Sequence, residues 1–163
     1  VSKGYAMTGW RIGWIAAPKW IASACGLLQG QYTSGASSIS QKAAEAAYTG
    51  NQDCVEEMRV AFERRKNLIT KLLKEIPALK VNDPKGAFYV FVECSSYLGK
   101  QFDEKRIDTA TDLAMYLLEQ GHVACVGGDA FGAPGHIRFS YATSDENIEK
   151  AVSRVKGALE KLR

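Results

Sequence analysis

Ser2-Lys3-Gly4-Tyr5-Ala6-Met7-Thr8-Gly9-Trp10-Arg11-Ile12-Gly13 opens the chain, and its reading decides how everything after it is understood. A lysine follows a serine directly, and an arginine stands eight residues later, among glycines and aromatics that suit a packed loop. A desolvated lysine amine loses its charge and becomes a nucleophile, the first requirement for Schiff-base chemistry. An arginine stays charged and presents a planar fork of donors that suits phosphate or carboxylate.

The 163 residues fit one average domain or the end of a larger protein. Hydrophobic residues at 46% and charged residues at 24% describe an ordinary soluble globular chain. A net charge of +3 is too mild to argue for nucleic acid or a membrane surface as partner. No run of about 18 apolar residues is present, so no transmembrane helix is expected. The first residues lack the order of a signal peptide, which points to a cytoplasmic protein. Cys25, Cys54, Cys94 and Cys125 are irregularly spaced, and only His122 and His136 accompany them. That pattern predicts reduced thiols and no metal site.

Beyond the opening loop, residues 10–17 suggest a short, partly buried extended segment carrying Trp10, Ile12 and Trp14. Pro18 suits the first turn of a helix, and Trp20, Ile21, Ala24, Leu27 and Leu28 recur at helical spacing until residues 30–35 break it. An alanine-rich helix over 38–48 closes at Gly50. Val55, Met58, Phe62, Ile69, Leu72 and Ile76 mark one face of a long helix over 53–76, stopped by Pro77. Arg64-Arg65-Lys66 is the solvated face of that helix rather than a nucleic-acid patch.

The pattern then changes. Strands are predicted over 79–81, 87–92, 123–126 and 137–142, with a polar surface excursion over 93–107 and a glycine-rich loop over 127–135. A helix over 111–120 is anchored by Leu113, Leu117 and Leu118. The last helix begins with a capping box from Thr143 to Glu146. The second half therefore reads as an α+β arrangement, whereas the first is helical with no sheet of its own. Arg138 stands in an otherwise apolar strand and shares a face with His136 and Ser140. On pattern alone a snorkelling edge-strand arginine fits it equally well.

The Ser2–Gly13 segment resembles the active-site lysine region of the fold-type I, pyridoxal-phosphate-dependent aminotransferases of class I/II, most of all the prokaryotic-type aspartate aminotransferase branch. Gln29-Gly30-Gln31-Tyr32-Thr33-Ser34, Lys85-Gly86-Ala87-Phe88-Tyr89 and Arg138-Phe139-Ser140-Tyr141-Ala142 are similar to later motifs of that family, in the same order. The resemblance covers essentially the whole chain and less than half of the family's length. It implies an α/β family fold, of which this chain holds a helical remnant of the large domain (1–52), an interdomain helix (53–76) and a small α+β C-terminal domain (77–163).

The function so implied is transfer of an amino group between an α-amino acid, aspartate first, and a 2-oxo acid. The cofactor is pyridoxal 5'-phosphate and the whole protein is a homodimer, with residues 31–38 toward the partner subunit. Lys3 would hold the cofactor as a Schiff base and then move the substrate's Cα proton; Ser2 and Arg11 would bind the cofactor phosphate. Arg138 would take the substrate α-carboxylate, and Phe88 would line the substrate entrance, although plain sheet core fits Phe88 and Tyr89 as well. Two departures stand out. Gly127-Gly128-Asp129 replaces the family's Pro-Gly-Ser, placing a negative charge where it would alter substrate preference. The family's phosphate loop, ring-stacking aromatic and pyridine-pairing aspartate are not identified, so the isolated chain is expected to be incompetent. Other roles for the same resemblance are the effector domain of a transcription regulator and a lyase of the same fold.

Overall fold

Alternating apolar residues at 89–93 and 136–140 become the centre of an antiparallel sheet. The computed structural model describes residues 1–163, which divide into two units, Val1–Arg59 and Val60–Arg163. Its helices are α1 (Lys19–Thr33), α2 (Ser38–Thr49), α3 (Asp53–Lys74), α4 (Ala110–Gly121) and α5 (Asp145–Leu159). Its strands are β1 (Lys80–Val81), β2 (Tyr89–Glu93), β3 (Gln101–Phe102), β4 (Lys105–Arg106), β5 (Val126–Gly127) and β6 (His136–Ser140). No helix is long and apolar enough to cross a membrane.

In the second unit the sheet order is β1-β2-β6-β5, and all neighbours are antiparallel. Tyr89 lies opposite Ser140, Phe91 opposite Arg138, and Glu93 opposite His136. Side chains alternate across a pleated strand, so Val90, Val92, Ile137 and Phe139 turn to one face and are buried. There they join Leu113, Tyr116 and Leu117 of α4, Ile148, Val152 and Val155 of α5, and Ile69 and Leu73 of α3 in one core. The Tyr116 hydroxyl donates to Ala158 O at 2.8 Å, satisfying its polar tip inside that core. Tyr89, Phe91, His136 and Arg138 occupy the other face, which stays only half-buried.

Several local expectations shift for physical reasons. Helix α4 starts at Ala110, because Thr109 and Asp112 form a reciprocal capping box. Hydrogen bonds from Thr109 hold the Asp112 carboxyl below its ordinary range. The cap of α5 is Ser144, whose Oγ accepts from Asn147 N at 3.3 Å, while Thr143 takes only the Asn147 side chain. The strand expected at 123–126 begins at Val126, since Val123 N–H returns to Leu117 O and closes α4.

Residues 93–107 are anchored rather than a loose excursion. Cys94 N–H bonds Gly135 O at 2.8 Å, Tyr97 reaches Pro77 O, and Gln101 exchanges both backbone bonds with Arg163. Ile107 is fully buried. Each anchor is a partner distant in sequence, which no local period displays.

In the first unit α1 runs through Gly30 to Thr33 and stops at Ser34 and Gly35, both with positive φ (61° and 147°). A helical glycine costs about 1 kcal/mol relative to alanine, which weakens a helix without ending it. Helix α1 buries no side chain, and Trp20 is 75% exposed. Helix α2 ends at Gly50 as expected, its N–H bonded to Ala46 O. Helix α3 has 22 residues, about 33 Å of axis, and the division between units falls within it. It ends before Ile76, which packs into the core from the following turn.

Candidate active site

Lys3 sits in a wound loop. Tyr5 N–H bonds Val1 O at 3.1 Å and Ala6 N–H bonds Lys3 O at 3.3 Å, so the backbone wraps around the lysine. A short 3-10 turn, Thr8–Trp10, follows. Ala6 and Arg11 take left-handed backbone angles (φ 53° and 49°), a strain of roughly 1 kcal/mol or more at each. Side chains of α2 and its exit hold that shape. Buried Ser40 donates to Trp10 O at 2.8 Å, Tyr48 accepts from Trp14 Nε1 at 2.7 Å, and Tyr5 donates to Gln52 Oε1 at 2.7 Å. The Tyr5 ring also meets Tyr48 edge-on, with centroids 5.3 Å apart.

The extended segment expected at 10–17 does not form a strand, and Trp10 and Trp14 are exposed. A strand needs a neighbour for its backbone groups, and the first unit contains none. Ser2 is half-buried, while Lys3 and Arg11 are exposed. The Arg11 guanidinium folds back and donates to Thr8 O at 2.9 Å through Nη1. One loop thus offers a hydroxyl, an amine and a guanidinium. That donor set fits a phosphorylated aldehyde: an amine for the carbonyl, and a charged fork with a hydroxyl for the phosphate.

In the second unit Arg138 lies on the open sheet face. Its Cζ is 4.2 Å from the centroid of Tyr89 and 4.3 Å from that of Phe131, on the short 3-10 turn Gly128–Phe131. No carboxylate of the chain pairs with it, whereas Arg64 and Arg65 meet Asp145 and Lys80 meets Glu93 at 2.9 Å. Hydrogen bonding from Lys80 holds the Glu93 carboxyl below its ordinary range. His136 stacks flat on Phe91, centroids 5.1 Å apart, with Nδ1 3.0 Å from Pro134 O; a proton there donates to that carbonyl. Phe88 packs against Phe62 of α3, whose ring also meets Tyr141, and Phe88 O accepts from Tyr141 N–H at 3.0 Å. Tyr89, its neighbour, is the residue that meets Arg138.

Asp129, the unexpected charge, caps α4. Its Oδ2 accepts from Thr111 N at 3.0 Å and Thr111 Oγ1 at 2.9 Å. Gly128 beside it is required by space, because a Cβ there would run into the carbonyls of Ala133 and His136. Strand alternation assigns Tyr89 to the face of Arg138; Phe131 lies in a loop, where no period reveals its contact. Burial pushes the Cys94 thiol up to about 11 and the Cys125 thiol up to about 12, so neither is a nucleophile at neutral pH.

Residues 1–155 match the family model for aminotransferase class I and II. The chain is 47% identical to a bifunctional aspartate aminotransferase and glutamate/aspartate-prephenate aminotransferase of Petunia hybrida, over 97% of this chain and 34% of that protein. It is 46% identical to an aspartate aminotransferase of Rhizobium meliloti (strain 1021), over 99% of this chain and 40% of that protein. The crystal structure of a Rhizobium meliloti aspartate aminotransferase superposes with a TM-score of 0.93 at 45% identity, covering 99% of this chain and 41% of the other. An aromatic aminotransferase from Pyrococcus horikoshii gives 0.87 at 36% identity, covering 98% and 41%. The chain therefore spans between a third and under half of these relatives' length. Its mixed helix and sheet agree with the α/β fold-type I expectation.

Proposed function

Because this chain belongs to the aminotransferase class I and II family, we propose that it is the C-terminal part of a pyridoxal 5'-phosphate-dependent aminotransferase. The reaction is transfer of an amino group from an α-amino acid to a 2-oxo acid. Aspartate is the preferred amino donor in this reading, supported by the names of the relatives from Petunia hybrida and Rhizobium meliloti. The regulator and lyase readings gain nothing from these relatives. The observation that carries the proposal is Arg138: a guanidinium on an open sheet face, flanked by rings and paired with no carboxylate of its own chain. A bidentate pair with an external carboxylate is what that arrangement offers.

In this reading Ser2 and Arg11 hold the cofactor phosphate and Lys3 binds the aldehyde carbon. The cofactor, when bound, supplies the electron sink that lets a Cα–H bond ionise. Once the substrate's amino group displaces it from that carbon, the freed Lys3 amine would accept the Cα proton as a general base and give it back as the conjugate acid. Arg138 binds and orients the α-carboxylate common to every α-amino acid and its 2-oxo acid, and Phe88 lines the approach from the side of α3. The organisation into residues 1–52, 53–76 and 77–163 belongs to the same reading; the division within α3 supports a boundary on that helix. So does a cytoplasmic homodimer, which sedimentation of the whole protein tests.

Lys3 is tested directly. The chain is mixed with pyridoxal 5'-phosphate, reduced with borohydride, digested and mapped by mass spectrometry. The reading expects a pyridoxyl adduct concentrated at Lys3, lost in Lys3→Ala and diminished in Arg11→Ala. Equal labelling of the remaining lysines, unchanged in both variants, would sink it.

A further inference from the structure

Arg138 has contacts that its carboxylate-binding role does not require. Tyr89 enters from β2, diagonally across from Arg138, and Phe131 enters from the turn after β5. Both ring centroids lie within 4.3 Å of Cζ, inside the range for cation–π attraction. Ring pairs around them are Phe88–Tyr89, Phe91–Phe131 and Phe91–His136. The two rings reach the guanidinium from different elements, one from the sheet and one from the turn. Phe131 is in turn braced edge-on against Phe91, centroids 6.4 Å apart, and Phe91 is the cross-strand partner of Arg138. Phe131 itself is half exposed, so an external anion can reach its side of the guanidinium.

Resting on the reading of Arg138 given above, we propose that Tyr89 and Phe131 form an aromatic clamp that fixes the plane of the Arg138 guanidinium and makes the site select a flat, two-oxygen anion. A free arginine side chain turns about its last bonds and meets a carboxylate or a tetrahedral oxyanion with similar ease. In the clamp the two rings cover the guanidinium faces and leave its N–H edge as the open approach. Two parallel N–H···O bonds along that edge match the two coplanar oxygens of a carboxylate. A phosphonate or sulfonate places its third oxygen out of that plane, toward a ring. Tyr89 and Phe131 are thus positioning residues: they act on the anion through Arg138.

The test has two arms, both on the full chain. The first follows the Arg138 Nε–Hε resonance by NMR without ligand. A clamped guanidinium gives a ring-shifted signal with slowed rotation, and Tyr89→Leu and Phe131→Leu each bring it back toward the other arginines. The second arm measures affinity for propionate and for ethylphosphonate, which differ in the shape of the anionic head. Each leucine variant is expected to weaken propionate by about threefold, the size of one exposed cation–π contact, and to narrow the preference over phosphonate. Phe131→Tyr, which keeps the ring, retains both affinity and preference. An unshifted Arg138 resonance, or leucine variants that keep the wild-type preference, overturns the clamp. If instead the resonance behaves as expected while Arg138→Lys leaves propionate binding unchanged, the anion does not bind at Arg138. The function proposed above then loses its main support, and the selectivity assigned to the clamp falls with it.

Discussion

Replacing Asp129 by alanine should destabilise the second unit rather than change anion recognition. Its carboxylate accepts from Thr111 N and Oγ1, and Thr111 is the second residue of α4. The first turn of a helix leaves its N–H groups without partners, and a negative charge there is further favoured by the helix dipole. Hydrogen bonds to a charged group contribute about 1.5–3 kcal/mol, and the dipole about 0.3–1 kcal/mol when exposed. Asp129 is solvent-exposed, so water replaces part of what is lost, and about 1–2 kcal/mol is the expected cost. Native-state amide exchange reads this directly. Protection of the Val90, Val92 and Ile137 amides, which report opening of the whole unit, should fall by roughly 5- to 30-fold at constant pH. Thr111→Val should cost less and should not add fully to Asp129→Ala, because both remove one bond in common. Tryptophan fluorescence is the wrong probe, since Trp10, Trp14 and Trp20 all lie in the first unit. Unchanged protection with a tenfold change in carboxylate affinity would refute the cap and restore a role for Asp129 in recognition.

Gly128→Ala is expected to be more damaging than Gly132→Ala, by about 1–3 kcal/mol, because the new Cβ meets backbone carbonyls at Gly128 and open space at Gly132, whose φ of 68° still adds some strain. Thermal unfolding of both variants checks the order. Thiol labelling by iodoacetamide at pH 8 should modify exposed Cys25 and Cys54 quickly, and Cys94 and Cys125 only on unfolding, as peptide mapping over time will show. The same shifts set a pH dependence: below the ordinary thiol value of 9.0 the folded and unfolded chains both keep the proton. Above it the unfolded chain loses the proton first, so stability falls as pH climbs toward about 11.

Much of this chain was legible from its residues. The lysine segment with the later motifs identified the family, and period-two alternation put His136, Arg138 and Ser140 on one face. Helix α2, its stop at Gly50, and the length of α3 followed from propensity and apolar spacing. What was misread shares a cause. Residues 93–107 looked unanchored because their partners, Pro77, Gly135 and Arg163, are far away in sequence. Residues 10–17 looked like a strand because their composition suits one, but no neighbouring strand is there to accept their backbone bonds. Asp129 looked like a charge aimed at substrate until the fold brought it to Thr111.

Sequence by itself determined the chemistry on offer, because reactivity belongs to residue types: an amine at Lys3, guanidinium groups at Arg11 and Arg138, a hydroxyl at Ser2. Only the tertiary structure decided the setting of those groups. Tyr48 and Ser40 shape the Lys3 loop, and Tyr89 and Phe131 flank Arg138. Local periodicity records which side of an element a residue faces, whereas contacts between a loop and a strand depend on how the chain closes on itself. That closure is cooperative, and no short window of sequence contains it.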